Sequence, residues 1–471
     1  MIFQDLNNID LKNIPVIIFG SGPAGITTSL GLEKKKIQSL IIEAGSETYN
    51  ETSQDFYRGK VTGDHLTDIS LSRLRQLGGT SGHWGGWSKP MENYSFDSWP
   101  IKAKDLEGYT DRTCKILGIK NQFNQSKLNN YFNQIQFQYS NVRFAKKYKK
   151  HIKNSKYIHL VLNTQLSHFE GKNKVVTNAV CVSRNLTKKI QSKYFILSCG
   201  GIENSRILLW AREHNKKLFN KNLPIGQYWM NHPWIIGGIG LVNKRELKKK
   251  LNNNFIDYDG PLHFAAKKKL LNDKKILSAA IYMSAKEDTK FYKEIIKDIL
   301  CVAPEYGKKI ARTVFKKDLK CGNIFMNLEE PPDQNNKITL DPSTKDIFGI
   351  PRVNLYYKKS KETLFTAKVF LEEFANFCRN EDIGRIALKK NIYNLQGFET
   401  IDNHHHLGGT RIGNDTRTSV VDKNLKIHNV NNLYINGSSN FVTGGYTNPT
   451  YTIVQLSLRL ADHLTNVKDL S

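Results

Sequence analysis

The chain has 471 residues, 39% of them hydrophobic and 10% aromatic, which excludes a disordered or fibrous protein and is length enough for two to three domain-sized units or one large interrupted domain. Its formal charge of +27 would suit nucleic acid, an anionic membrane surface or an acidic protein. The lysines, however, are spread along the chain in runs such as KKYKK, KRELKKK and KKKLLNDKK that read as solvated faces, and no nucleic-acid-reading motif accompanies them, so nucleic acid is not an expected partner.

The first residues, MIFQDLNNIDLKNIPVIIFG, show no basic segment followed by an apolar one and a small-residue cleavage site. No run of ~18 apolar residues follows anywhere, so the expected location is cytoplasmic. Cys114, Cys181, Cys199, Cys301, Cys321 and Cys378 lie far apart with no C-x-x-C pair and read as reduced thiols.

The first element with chemistry in it is PVIIFGSGPAGITTSLGLEKKKIQSLIIEAG. An apolar run at residues 16–19 leads into Gly20-x-Gly22-x-x-Gly25, then a helix-like stretch and a second apolar run ending in Glu43. This strand, turn, helix and strand is the context that gives the glycine pattern meaning. Gly20 permits the turn, Gly22 lets a pyrophosphate approach the backbone, and Gly25 lets helix and strand pack closely. Glu43, placed to bind a ribose diol, disfavours a 2′-phosphate, so the expected dinucleotide is NAD or FAD and not NADP.

Later in the chain, residues 323–341 are expected to supply sheet strands. HHHLGGTRIG, at residues 404–413, raises metal binding through its three imidazoles. No partner cluster with ligand spacing accompanies them, and neighbours on an extended chain point to opposite faces, so no metal is expected. Ile453, Leu456, Leu460 and Leu464 recur at helical spacing, predicting a terminal helix that starts near Asn448.

Three stretches decide between NAD and FAD: RLRQLGGTSGHWGGW (residues 73–87), YFILSCGGIENSRILL (194–209) and NNLYINGSSNFVTGGYTNPTYTIVQLSLRLADHL (431–464). Together with IIEAG, WPIKAKDLEGY and IGQYWMNHP in the same order, they resemble the glucose-methanol-choline (GMC) family of FAD-dependent oxidoreductases. The HHLGGT and TNPT forms are most similar to its pyranose 2-oxidase and sugar dehydrogenase branches.

The resemblance implies an α/β fold. A doubly wound, Rossmann-like FAD-binding domain would be assembled from residues 1–100, 156–233 and 404–471. An α+β substrate domain, a sheet covered by helices, would take residues 101–155 and 234–403. Besides Gly20, Gly22, Gly25 and Glu43, it places Gly78, Gly79, Thr80, His83, Asn436 and Gly437 at the cofactor, and His406 and Asn448 over the flavin ring as the catalytic pair. His83 stands where pyranose 2-oxidase links a histidine covalently to the flavin; non-covalent binding is the expectation here. His404, His405 and His232 are read as structural or pocket-lining.

Chemistry agrees with these roles. Hydride transfer from a carbinol carbon to flavin N5 needs a base for the hydroxyl proton, which a near-neutral imidazole supplies. An uncharged amide such as Asn448 can orient the oxygen as charge develops on it. The expected substrate is a primary or secondary alcohol of a sugar or glycoside. The alternatives are a basic binding or scaffold protein on an inactive flavoprotein frame and an oxidase of a non-sugar alcohol. A dehydrogenase passing electrons to a protein or quinone is favoured over an oxidase, because the basic, apolar-striped segment 291–320 could dock on an acidic carrier or lie on an anionic membrane. The same segment also reads as a solvated helix.

Overall fold

In a computed structural model the described residues are 1–7, 9, 14–183, 186–243, 247, 249, 262–283, 319–395, 401–402 and 404–467. The segment 291–320, for which a docking face is expected, lies outside them except for its last two residues, which begin a strand.

The strands VIIF (Val16–Phe19), SLII (Ser39–Ile42) and YFIL (Tyr194–Leu197) are buried along their whole length, as expected for apolar runs covered on both faces. They are the centre of a six-stranded sheet in the order Ile2–Phe3, Ile158–Val161, Ser39–Ile42, Val16–Phe19, Tyr194–Leu197, Leu433–Ile435. Every pairing in it is parallel.

One face takes the helices Pro23–Glu33 and Thr450–Thr465, with Ile26, Ile41, Tyr451 and Val454 in one buried cluster. These helices approach so closely that a Cβ on Gly31 would lie 2.5 Å from Ala461 Cβ. The other face is covered by an antiparallel meander, Gln165–Lys172, Val175–Ser183 and Leu186–Ile190. Phe169 of the meander meets Phe19 and Phe195 edge-on, 5.9 Å from each.

A second, antiparallel sheet runs Gly384–Leu388, Pro233–Asn243, Leu319–Leu328, Ala279–Met283, Leu262–Ala266, Phe132–Ile135, Gln125–Lys127, with Ile401–Asp402 beside Pro233–Asn243. Its inward face packs on the helix Lys361–Asn380, where Phe370 and Phe374 lie 5.2 and 5.1 Å from Phe132. Ser360 caps that helix by accepting from Glu362 N. The strands expected within residues 323–341 are present but belong to different sheets. Leu319–Leu328 joins the large one, while Lys337–Lys345 pairs with Pro351–Tyr357, which in turn runs parallel to Gly59–Gly63. Among the described residues no helix is long and apolar enough to cross a membrane.

Candidate active site

The C-terminal ends of the parallel strands open on a cavity lined by Gly20, Gly22, Glu43, Gly79, Thr80, His83, Gly437, His404, His405, His406 and Asn448. Gly20 adopts φ +103°, and a Cβ there would lie 2.5 Å from Ser198 O. A Cβ on Gly25 would lie 1.9 Å from Gly20 O, so only glycine lets the helix start against the turn. Gly22 is different: nothing stands within 4 Å of its Cβ direction. It is the N-cap of Pro23–Glu33, a helix with no side-chain cap, so the first-turn N–H groups are left for an anion. Across from it, a Cβ on Gly79 would lie 3.1 Å from Gly22 Cα. Gly78 sits behind, its N–H donating to Ser21 O at 3.1 Å.

Glu43 accepts from Ser21 N (2.9 Å), Ser21 Oγ (2.7 Å) and Gly45 N (2.8 Å). A carboxylate has about four acceptor sites, so one remains for a ribose hydroxyl. Near this end Arg75 donates to Ala44 O and Gln165 Oε1. The residues therefore fit a dinucleotide: a glycine cradle with space in front of it, an uncapped helix end and a fixed acid.

The sequence reading missed the wall of buried charge beside this cradle. Glu203 bridges Arg73 (3.0 Å) and Arg206 (3.1 Å), and Arg206 also meets Asp346 (2.7 Å). Burial pushes the Glu203 carboxyl up, but the two guanidiniums outweigh it and hold it below the usual range. Glu203 and Arg206, three apart in GGIENSRILL, were the available signal.

Asn436 does not line the cavity. Its Nδ2 donates to Thr28 Oγ1 and Ser457 Oγ, both at 2.9 Å, tying the first helix to the last. Gly437, at φ +140°, does line it. The helix Thr450–Thr465 begins at Pro449 with no side-chain cap, and Pro449, Thr450 and Ile453 face the cavity, so its positive end points inward.

The three histidines fan out to different partners. His83 is exposed to the cavity, its imidazole lowered by burial, His404 and Arg143. His406 places Nε2 2.8 Å from Ser72 Oγ, and the Ser72 hydroxyl is within reach of Ile69 O at 3.1 Å. With the hydroxyl proton donated to Ile69 O, Ser72 accepts from His406 Nε2–H and the lone pair falls on Nδ1. That atom has no hydrogen-bond partner among the described residues. Burial, then Arg73 and His404, hold this imidazole well below its usual range. A Cβ on Gly201 would lie 2.1 Å from His406 O, so the start of the helix Gly200–His214 packs on the His406 backbone.

His405 is the histidine that meets Asn448, with Nε2 3.3 Å from Asn448 Nδ2; its Nδ1 lies 3.1 Å from His232 Nδ1. Among the described residues no three His, Cys, Asp or Glu side chains form a group that could hold a metal ion.

His232 and Trp234, two apart on an extended chain, share a side. From Trp234 an aromatic row crosses the large sheet. Phe325 stacks on Trp234 (4.9 Å, 12°) and on Tyr282 (4.9 Å, 14°), and His263 lies 5.4 Å beyond Tyr282.

Residues 332–457 match the family GMC oxidoreductase. The chain is 24% identical over 308 residues to the fructose dehydrogenase large subunit of Gluconobacter japonicus, covering 63% of this chain and 52% of that protein. It is 37% identical over 138 residues to pyranose 2-oxidase of Tricholoma matsutake, covering 27% of this chain and 24% of that one. The chain spans about half the length of the curated relatives it matches along most of its own. Pyridoxine 4-oxidase from Mesorbium loti shares the fold, at a TM-score of 0.63 and 12% identity over 97% of this chain and 100% of that one.

Proposed function

We propose that this chain is a GMC oxidoreductase that holds FAD in the cavity and oxidises an alcohol group of a sugar or glycoside to a carbonyl, with His406 as base and Asn448, which lines the same cavity, as its partner. The observation that carries the reading is the buried His406 Nδ1, which has no hydrogen-bond partner among the described residues, in a residue lining the same cavity as the glycine cradle.

FAD, bound there, supplies a two-electron acceptor for the hydride of the carbinol C–H. The chain does the rest. Ser72 orients the His406 ring so that Nδ1 offers its lone pair to the substrate hydroxyl proton. Asn448, an uncharged amide, steadies the oxygen as charge develops. Gly20, Gly22, Gly25, Gly78, Gly79 and Thr80 shape the pyrophosphate end, Glu43 meets the ribose, and His83 and Gly437 stand along the cavity. Asn436 acts by holding two helices together. Residues 1–100, 156–233 and 404–471 form the FAD domain, and they contain all six strands of the parallel sheet.

A sugar is favoured over a small aliphatic alcohol because relatives of the chain include a fructose dehydrogenase subunit and pyranose 2-oxidases. The electrons leave to a protein or quinone acceptor and not to oxygen.

Anaerobic mixing of the FAD-loaded protein with sugars, glycosides and polyols tests this. Bleaching of the flavin by at least one of them, with slow peroxide formation in air, is expected. No bleaching by any alcohol would overturn the reading and leave a binding protein on a flavoprotein frame. Fast stoichiometric peroxide would make it an oxidase.

A further inference from the structure

Behind Asn448 stand two histidines that the proposed chemistry does not use. His232 is 1% exposed and His405 half-buried. Their Nδ1 atoms face each other at 3.1 Å, and the His405 ring meets Asn448 through its other nitrogen at 3.3 Å. The rings stand nearly perpendicular, at 86°, with centroids 5.1 Å apart.

Hydrogen-bonding capacity fixes where the protons lie. The Asn448 Nδ2 group can only donate, so a neutral His405 accepts it at Nε2 and carries its own proton on Nδ1. That N–H then donates to His232 Nδ1, and His232 carries its proton on Nε2. At the far end His232 Nε2 packs against Gly444, where a Cβ would lie 2.4 Å from it. Burial keeps both rings neutral. It takes His232 down to about 4, and together with His232, His406 and His404 it holds His405 well below the usual imidazole range.

We propose that His405, backed by His232, is the positioning residue that sets which way the Asn448 amide faces, taking one of the two Nδ2 hydrogens so that the other is left to donate to the substrate oxygen as charge develops. The proposal rests on the alcohol-oxidising reading of the cavity. It reaches beyond that reading because the catalytic pair carried by the family resemblance is His406 with Asn448 alone. Asn448 sits immediately before Pro449, at the uncapped start of the terminal helix, so its backbone is fixed and only the side-chain amide remains to be oriented.

Two measurements on the FAD-loaded protein decide it. The first is nitrogen-15 NMR of the histidine rings, which needs no substrate. Expected at pH 7 are two neutral imidazoles of opposite tautomer, His405 protonated at Nδ1 and His232 at Nε2, with the His405 tautomer lost in His232→Phe. A His405 protonated at Nε2, or charged, would overturn the proposal.

The second is a double-mutant cycle on the rate constant of flavin reduction. His405→Leu should lower it about fivefold to tenfold, the worth of one oriented hydrogen bond, with FAD content and substrate KM unchanged. His405→Gln, which can still accept from Asn448, should recover most of the loss. In an Asn448→Ala background His405→Leu should cost nothing further. Losses that multiply would show that His405 acts on the substrate by itself, against the proposal. If no alcohol reduces the wild-type flavin, the alcohol-oxidising reading fails, and the tautomers still decide whether His405 orients Asn448.

Discussion

Asn448 meets His405, with the amide nitrogen 3.3 Å from the ring, while His406 turns its Nε2 toward Ser72 at 2.8 Å. Neighbouring side chains on an extended segment diverge, so the two histidines reach the cavity from different sides. One meets the helix-capping corner and the other a serine three residues after Ile69, whose carbonyl is within reach of its hydroxyl.

The two glycines of the first turn should fail differently. Gly22→Leu places its side chain in open cavity space and should leave a folded, colourless protein, read from the FAD absorbance per chain and an intact melting transition. Gly25→Leu drives its Cβ into the Gly20 carbonyl and should yield no folded protein. A Gly22→Leu protein with full FAD would remove the cradle from the account.

Glu203→Leu leaves Arg73 and Arg206 buried without their shared carboxylate. Breaking a buried ion network from one side costs about 3–5 kcal/mol, so denaturant unfolding should shift by that order. An unchanged midpoint would mean that water already reaches the guanidiniums.

The parts legible in the sequence are those set by local periodicity. VIIF followed by Gly20-x-Gly22-x-x-Gly25 is a strand, turn and helix because each element satisfies its own pattern, and Ile453, Leu456, Leu460 and Leu464 likewise mark the terminal helix. What stayed hidden depends on partners far along the chain. The pairing of Gly59–Gly63 with Pro351–Tyr357, the meander over one face of the parallel sheet, and the contact of His232 with His405 leave no local spacing to read. The resemblance places Asn436 at the cofactor, yet its side chain turns to Thr28 and Ser457.

His232 gives the fold an acid-labile point. Its imidazole is taken to about 4 by burial, below the value near 6.5 of an unfolded chain. Between those pH values the unfolded state binds the extra proton, so this contribution is fully present above pH ~6.5 and is lost as pH falls toward 4, a change of roughly 3 kcal/mol. Unfolding midpoints from pH 4 to 7 should show a steeper slope for the wild type than for His232→Asn. Equal slopes would mean that His232 is not the group that titrates.

His83 lines the cavity while its side chain remains exposed to it. Its imidazole is hydrogen-bonded to the Ser72 backbone, and the expected outcome of acid precipitation is a colourless pellet and FAD in the supernatant. Colour that stays with the pellet, and disappears in His83→Ala, would instead establish a covalent link.

Stopped-flow flavin reduction in His406→Ala, with a sugar that bleaches the wild type, is the most direct measurement of the central claim. The account predicts that the variant keeps its FAD and loses at least ~100-fold in the reduction rate constant, the low end for a general base. A rate equal to that of the wild type would show that the unpartnered Nδ1 of His406 takes no part in removing the substrate proton.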